Sequence, residues 1–263
     1  MGIRRCAVAG AFYPAEASQL LQVLDLFFQK ERSHNISAFG IVSPHAGYIY
    51  SGVTAACAFN AIPEDFDGTF VVIGPSHRGS ETCISVDNWE TPIGTLIPDQ
   101  DFLDALKIPS DSFSHRNEHS LEVQMPFIQY RYPNARIAPI MMGNQNERSS
   151  LSLSGKILSA VKDTERNVKI IASSDFSHYV PKEKAVRDDG YAIMALQSLN
   201  VPLFYHRIRE KNLSVCGYGP ISTMVHVAKE LGATEGKLLQ YATSGEVTNE
   251  FSEVVGYAAI AVV

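Results

Sequence analysis

The sequence predicts an α/β fold: one domain over residues 1–263, with a central mixed, largely parallel sheet flanked by helices. Three observations predict it. Apolar, strand-like runs alternate with helical stretches of about 10–15 residues, the pattern of βαβ units with a sheet covered on both sides. The run 69–73 (TFVVI) is continuously apolar and rich in β-branched residues, as a strand buried on both faces requires. Motifs holding His, Asp and Cys stand just after such runs, where ligands bind in folds of this class.

The elements follow in order. Leu20, Val23, Leu24, Phe27 and Phe28 repeat at i, i+3, i+4, i+7 and i+8, so 15–32 reads as a helix with one buried face. A short apolar strand at 39–43 runs into PHAGYIYSG, and 51–61 reads as a helix with small residues on its packing side. After the strand at 69–73 and its GPSH loop, 83–86 and 94–97 are expected to pair as a hairpin insertion flanking 87–93. The stretch 120–131 looks helical but contains Pro126, which predicts a kink or a late helix start. A strand at 135–142, a helix at 150–162 and a strand at 168–172 follow, the last ending in SSDFSHY. Helices near 184–198, 202–210 and 218–231 and strands near 237–243 and 254–263 close the chain.

Composition narrows the function classes. Hydrophobic residues make up 45% and charged residues 19%, which is ordinary for a globular domain and not for a disordered one. Net charge is −6 with no long basic run, which argues against nucleic acid as a partner. The opening MGIRRCAVAGAFYP has no apolar core of a secretory signal, and the longest apolar run is too short to span a bilayer, so no membrane partner is expected. Cys6, Cys57, Cys83 and Cys216 form neither a CxxC pair nor a disulfide framework. A cytoplasmic protein with reduced thiols is expected.

The candidate site residues share a syntax. His45 follows its strand in Pro44-His45-Ala46-Gly47, and His77 follows its own in Gly74-Pro75-Ser76-His77. Alone, a loop histidine often does no more than donate to a carbonyl; two at neighbouring strand ends point into one crevice. Asp175 and His178 follow a third strand, where Asp175 could cap a turn, orient His178 or ligate beside it. Glu118 and His119 precede a helical segment; Glu118 could serve the helix dipole or act as a pocket acid or base. Cys216 stands between Val215 and Gly217 at a helix entry, a position that favours the thiolate, whereas Cys57 among alanines reads as a buried hydrophobe. His34 follows a helix and could serve its C-terminus, while His115, His206 and His226 lack strand-end context; all four are expected at the surface or behind the site.

PHAGYIYSG, GPSH, EHSLEVQMPF, SSDFSHY and CGYGP, in this order and after an opening AGAFYPAE, resemble the Memo-like protein family over nearly the whole chain. The resemblance implies a fold similar to the class III extradiol ring-cleaving dioxygenases, which use non-haem iron(II). It implies His45, His77 and Cys216 as metal ligands, with His119, Asp175 and His178 in the surrounding pocket. A thiolate then takes the place of the dioxygenases' carboxylate.

Two imidazoles and a thiolate would leave coordination positions open, as catalytic sites require. Such a set suits iron(II), copper or zinc and binds calcium or magnesium poorly; the resemblance to the iron(II) dioxygenases puts iron(II) first. Asp175 could orient His178, and His178 or His119 could act as general base. The first reading is a metal-dependent, oxidoreductase-like protein acting on a small substrate. The second is a non-catalytic adaptor holding a small molecule, a peptide or a metal in the same pocket. The third is a metal-free hydrolase-like triad of Cys216, His178 and Asp175.

Overall fold

A computed structural model describes residues 2–30 and 36–263. The chain opens with β1 (Ile3–Arg4) and α1 (Ala17–Lys30), then β2 (Gly40–Ser43), α2 (Tyr48–Phe59) and β3 (Thr69–Pro75). Next come β4 (Cys83–Ile84), β5 (Asn88–Thr91), β6 (Gly94–Leu96), α3 (Gln100–Leu106), α4 (Ser112–His115) and α5 (Met125–Arg131). They are followed by β7 (Arg136–Met142), α6 (Glu147–Thr164), β8 (Val168–Ser173), α7 (Lys182–Gln197), α8 (Val201–Lys211) and α9 (Tyr218–Glu230). The last three are β9 (Gly236–Thr243), α10 (Gly245–Thr248) and β10 (Gly256–Val262).

Among the described residues the main sheet has seven strands in the order β4-β7-β3-β8-β2-β10-β9. Its centre, β7-β3-β8-β2, is parallel, and β4, β10 and β9 add antiparallel margins. The mixed, helix-flanked α/β fold read from the sequence is therefore the fold observed. Every residue of β3 is buried, and its side chains alternate between two cores. Val71 and Ile73 face the core under α6, α7 and α9; Phe70 and Val72 face the one under α1, α2 and α5. This is why the run carries no polar alternation. No helix is long and apolar enough to cross a membrane among the described residues.

Three expectations need correction. The hairpin pairs β5 with β6, not 83–86 with 94–97: Trp89 stands opposite Leu96, and Cys83–Ile84 instead pairs with β7 in the main sheet. The segment read as the hairpin's loop is a strand burying Trp89 and Thr91, alternating with half-buried Asn88 and Glu90. It also takes β1 as a parallel neighbour, making a second, three-stranded sheet. Second, α2 starts at Tyr48 rather than 51, because Gly47 rather than Ser51 stands at its N-cap. Third, His115 is a core residue: it is fully buried, edge-on to Trp89 at 5.9 Å. Pro126 sits in the first turn of α5 behind a 3-10 turn (Glu122–Gln124), so the helix starts late and does not kink. The expected end of the first helix, at 31–32, and His34 lie outside the described residues.

His115 has a consequence for stability. Burial drops its pKa from the usual 6.5 to about 4, so the folded protein keeps the ring neutral where the unfolded chain protonates it. Stability from this group is complete above pH 6.5 and is lost as pH falls from there to about 4. Urea melts across that range are expected to show an acid loss that His115→Phe reduces; an unchanged slope in that variant would contradict the assignment.

Candidate metal centre

The parallel pairing of β2 and β8 puts Ser43 opposite Ser173. Two residues beyond each strand end stand His45 and Asp175, and His45 N donates to Asp175 Oδ1 at 2.9 Å. On the other side of β8, β3 ends at Pro75, and His77 follows two residues later. The fourth contribution comes from the loop before α9, where Cys216 N donates to the Asp175 carbonyl at 3.2 Å. Gly217 permits that docking: a Cβ there would lie 2.4 Å from Ser173 O. Strand pairing and the docking of the loop before α9 thus bring together residues up to 171 positions apart, and His45 Nε2 lies 3.3 Å from Cys216 Sγ.

The ligand atoms of His45, His77 and Cys216 all lie within 4.8 Å of one another, close enough to hold one metal ion. Two other groups, His77–Glu118–His119 and Asp175–His178–Cys216, meet the same distance test but each shares a donor with the first. The ring arrangement is compact: centroids of His45 and His77 are 5.3 Å apart, and His119 stacks on His77 at 4.5 Å. Phe12 closes over His119 at 4.9 Å.

Each outlying nitrogen is already engaged. His77 Nδ1 lies 2.8 Å from Glu118 Oε1, and Glu118 also accepts from His77 N at 2.8 Å and Ser120 N at 2.9 Å. His178 Nδ1 lies 2.9 Å from Ser214 O, and its backbone N–H donates to Ser214 Oγ. A carboxylate and a carbonyl only accept here, so both rings carry hydrogen on Nδ1, and in the neutral form each leaves the Nε2 lone pair for a ligand. His45 Nδ1 lies 2.9 Å from Ser173 Oγ.

The electrostatics favour neutral imidazoles. Burial, then the neighbouring histidines His119 and His77, hold His45 well below the usual range. Burial and His77 lower His119 likewise. Burial would raise Glu118, but hydrogen bonds from the His77 ring and the Ser120 amide outweigh it and hold the carboxyl at about 2. Burial pushes Asp175 up despite the His45 N–H it accepts. Burial, and then the Asp175 carboxylate, pushes the Cys216 thiol up, so the thiolate expected from its place before α9 loses to desolvation. A cation at Sγ would reverse that balance, since a coordinating thiol is deprotonated. The sulfur also accepts the Asp175 N–H at 3.1 Å. In donor type and spacing the residues fit a borderline-soft ion.

His45, His77, His119, Asp175 and His178 line one cleft of about 550 Å³, walled on its far side by Tyr50, Tyr179, Val255 and Tyr257. Tyr179 is 73% exposed and holds a left-handed backbone with φ of 55°, an uncommon state for an aromatic residue. The hydrogen bonds of a Cys–His–Asp triad are not formed: Asp175 Oδ1 accepts from His45 N, and His178 Nδ1 faces Ser214 O. The orienting role expected of Asp175 towards His178 thus falls to Ser214. Ser173, Ser214 and Gln124, which hold the site from behind, escape sequence reasoning because each is an ordinary polar residue until the strands pair.

The Memo-like protein family model matches residues 4–261. A MEMO1 family protein of Methanosarcina barkeri is 42% identical, covering 99% of this chain and all of its own length. One from Archaeoglobus fulgidus is 41% identical over 98% of both chains, and one from Methanococcus maripaludis is 39% identical over 98% and 99%. With a family match spanning almost every element that builds the cleft, the chain belongs to the Memo-like protein family.

Proposed function

We propose that this protein binds one metal ion, iron(II) first and copper or zinc as alternatives, through His45, His77 and Cys216. We propose further that it is a redox or dioxygenase-like enzyme acting on a small substrate. The observation that carries the reading is the convergence of two imidazole nitrogens and a thiol, from three chain segments, within 4.8 Å. A bound iron or copper ion would supply redox chemistry or activation of dioxygen. The protein's own residues supply the rest. His45 lines the cleft and meets Cys216 at 3.3 Å, and Glu118 holds the His77 ring in place. His178, with Nδ1 tied to Ser214 O, turns Nε2 towards a ligand and accepts its proton. Tyr50, Tyr179 and Tyr257 provide an apolar wall for the body of a small molecule or a peptide side chain. Cys216 is in no disulfide, as this use of it requires.

Iron-loaded protein is expected to consume oxygen above background with at least one member of a phenolic and thiol substrate panel. His178→Gln should lower that rate by about 10²-fold or more while leaving iron stoichiometry intact. Background consumption across the whole panel would instead favour a binding protein using the same cleft.

A further inference from the structure

Ser173 Oγ stands behind the site with three polar neighbours: Ser120 O at 2.6 Å, Gln124 Nε2 at 2.8 Å and His45 Nδ1 at 2.9 Å. A hydroxyl has one proton and two lone pairs. Ser120 O is a carbonyl and only accepts, so an O···O contact that short needs the hydroxyl proton between the two atoms. Gln124 must present N–H to Ser173, because its Nε2 also lies 2.9 Å from Pro44 O, another pure acceptor. Flipping the amide would face oxygen to oxygen at Pro44. One lone pair of Ser173 remains, and it faces His45.

We infer that Gln124 and Ser173 form a tautomer lock, positioning residues that force the hydrogen of His45 onto Nδ1 and turn the Nε2 lone pair towards Cys216. The lock is fully buried, with Ser173, Ser120 and Gln124 all at 0% exposure, so no solvent competes for the bonds. It needs Ser43 and Ser173 side by side, because that pairing brings the Pro44 carbonyl and the Ser173 hydroxyl within reach of one amide. Among the described residues, the one neighbour at hydrogen-bonding distance of Nε2 is Cys216 Sγ, which can donate in the resting protein. His77 and His178 have their tautomers set by pure acceptors; His45 alone depends on a group that could have donated, and the count of protons removes that freedom.

The consequence for metal affinity rests on the metal-centre reading, but the tautomer does not. Nitrogen-15 long-range correlation spectra of the chelator-treated full chain, with His45 assigned by its loss in His45→Gln, read it directly. The wild-type His45 is expected as the Nδ1–H form. Ser173→Ala should shift the tautomer ratio towards Nε2–H by about tenfold, and Ser173→Thr should restore it. Anaerobic iron(II) titration against a competing chelator should show about 10–100-fold weaker binding in Ser173→Ala and recovery in Ser173→Thr. An Nε2–H signal for His45 in the wild type overturns the lock without any variant. An unchanged ratio in Ser173→Ala overturns the role of Ser173. A wild-type chain with the Nδ1–H form that binds no iron would sink the metal reading and leave the lock standing.

Discussion

Replacing His45 by Ala and Cys216 by Ser together is expected to reduce bound metal from about one ion per chain to background after anaerobic purification. The two donors lie 3.3 Å apart, and their loss leaves His77 with Glu118 and His119, a group whose carboxylate is already committed to the His77 ring and to the His77 and Ser120 amides. That remnant lacks the thiol and holds a borderline-soft ion more weakly than the three convergent donors. The backbone amide of His45 keeps its bond to Asp175 in the variant, so the loop has an anchor that does not depend on the side chain. Elemental analysis beside a thermal melt checks the outcome. Near-normal occupancy in a folded double variant would place the metal elsewhere.

The largest stability effect is expected at Glu122, away from the metal ligands. Its carboxylate is 1% exposed and pairs with the Arg4 guanidinium, itself 2% exposed. It also accepts from Tyr13 Oη at 2.6 Å and from the amides of Ala7 and Val8 at 3.0 Å each. Glu122→Ala would leave a buried cation and three donors without that partner. Arg4 keeps the carbonyls of Glu118 and His115 and the face of Trp89, which soften the loss without neutralising the charge. Breaking such a pair costs about 3–5 kcal/mol, a large share of the roughly 5–15 kcal/mol that holds a domain together. Urea denaturation is the check. The double variant Arg4→Met/Glu122→Leu should lose clearly less than Glu122→Ala, because no unpaired charge remains. Equal losses would mean that packing, not charge, dominates there. The same carboxylate ties down residues 7–8, and the chain from there leads to Phe12 over His119, so the variant is also expected to loosen the cleft wall.

Much of this architecture was legible before any coordinates. The 3.6-residue spacing of Leu20, Leu24 and their neighbours marks a helix because a buried face must repeat at that period, and both leucines are fully buried. The unbroken apolar run of β3 marks a two-sided strand for the same kind of reason. The small sheet was harder. In Asn88–Thr91 the polar residues of an alternating strand look like a turn, and β1 is two residues long, below the length at which any period shows. For α3, Asp99 capping Phe102 with Leu103 and Leu106 behind it is a helix start signal carried by the sequence itself. The burial of His115 against Trp89 depends on the second sheet, whose short strands leave no period in the sequence.

At the site, the front row was legible and the back row was not. His45, His77, Asp175, His178 and Cys216 announce themselves by standing beyond strands or before a helix, and His119 joins them through the stack on His77. Glu118 remained ambiguous between helix dipole and pocket until its bonds to His77 decided it. Ser173, Gln124 and Ser214 gain their roles only from strand register and loop docking, and neither is written in local spacing.

X-ray absorption at the metal edge of anaerobically iron-loaded protein bears most directly on the centre. Wild-type protein should show one sulfur among nitrogen and oxygen neighbours, and Cys216→Ser should lose that sulfur while keeping its fold. A wild-type spectrum with nitrogen and oxygen alone would mean that the thiol and the two strand-end imidazoles do not share an ion.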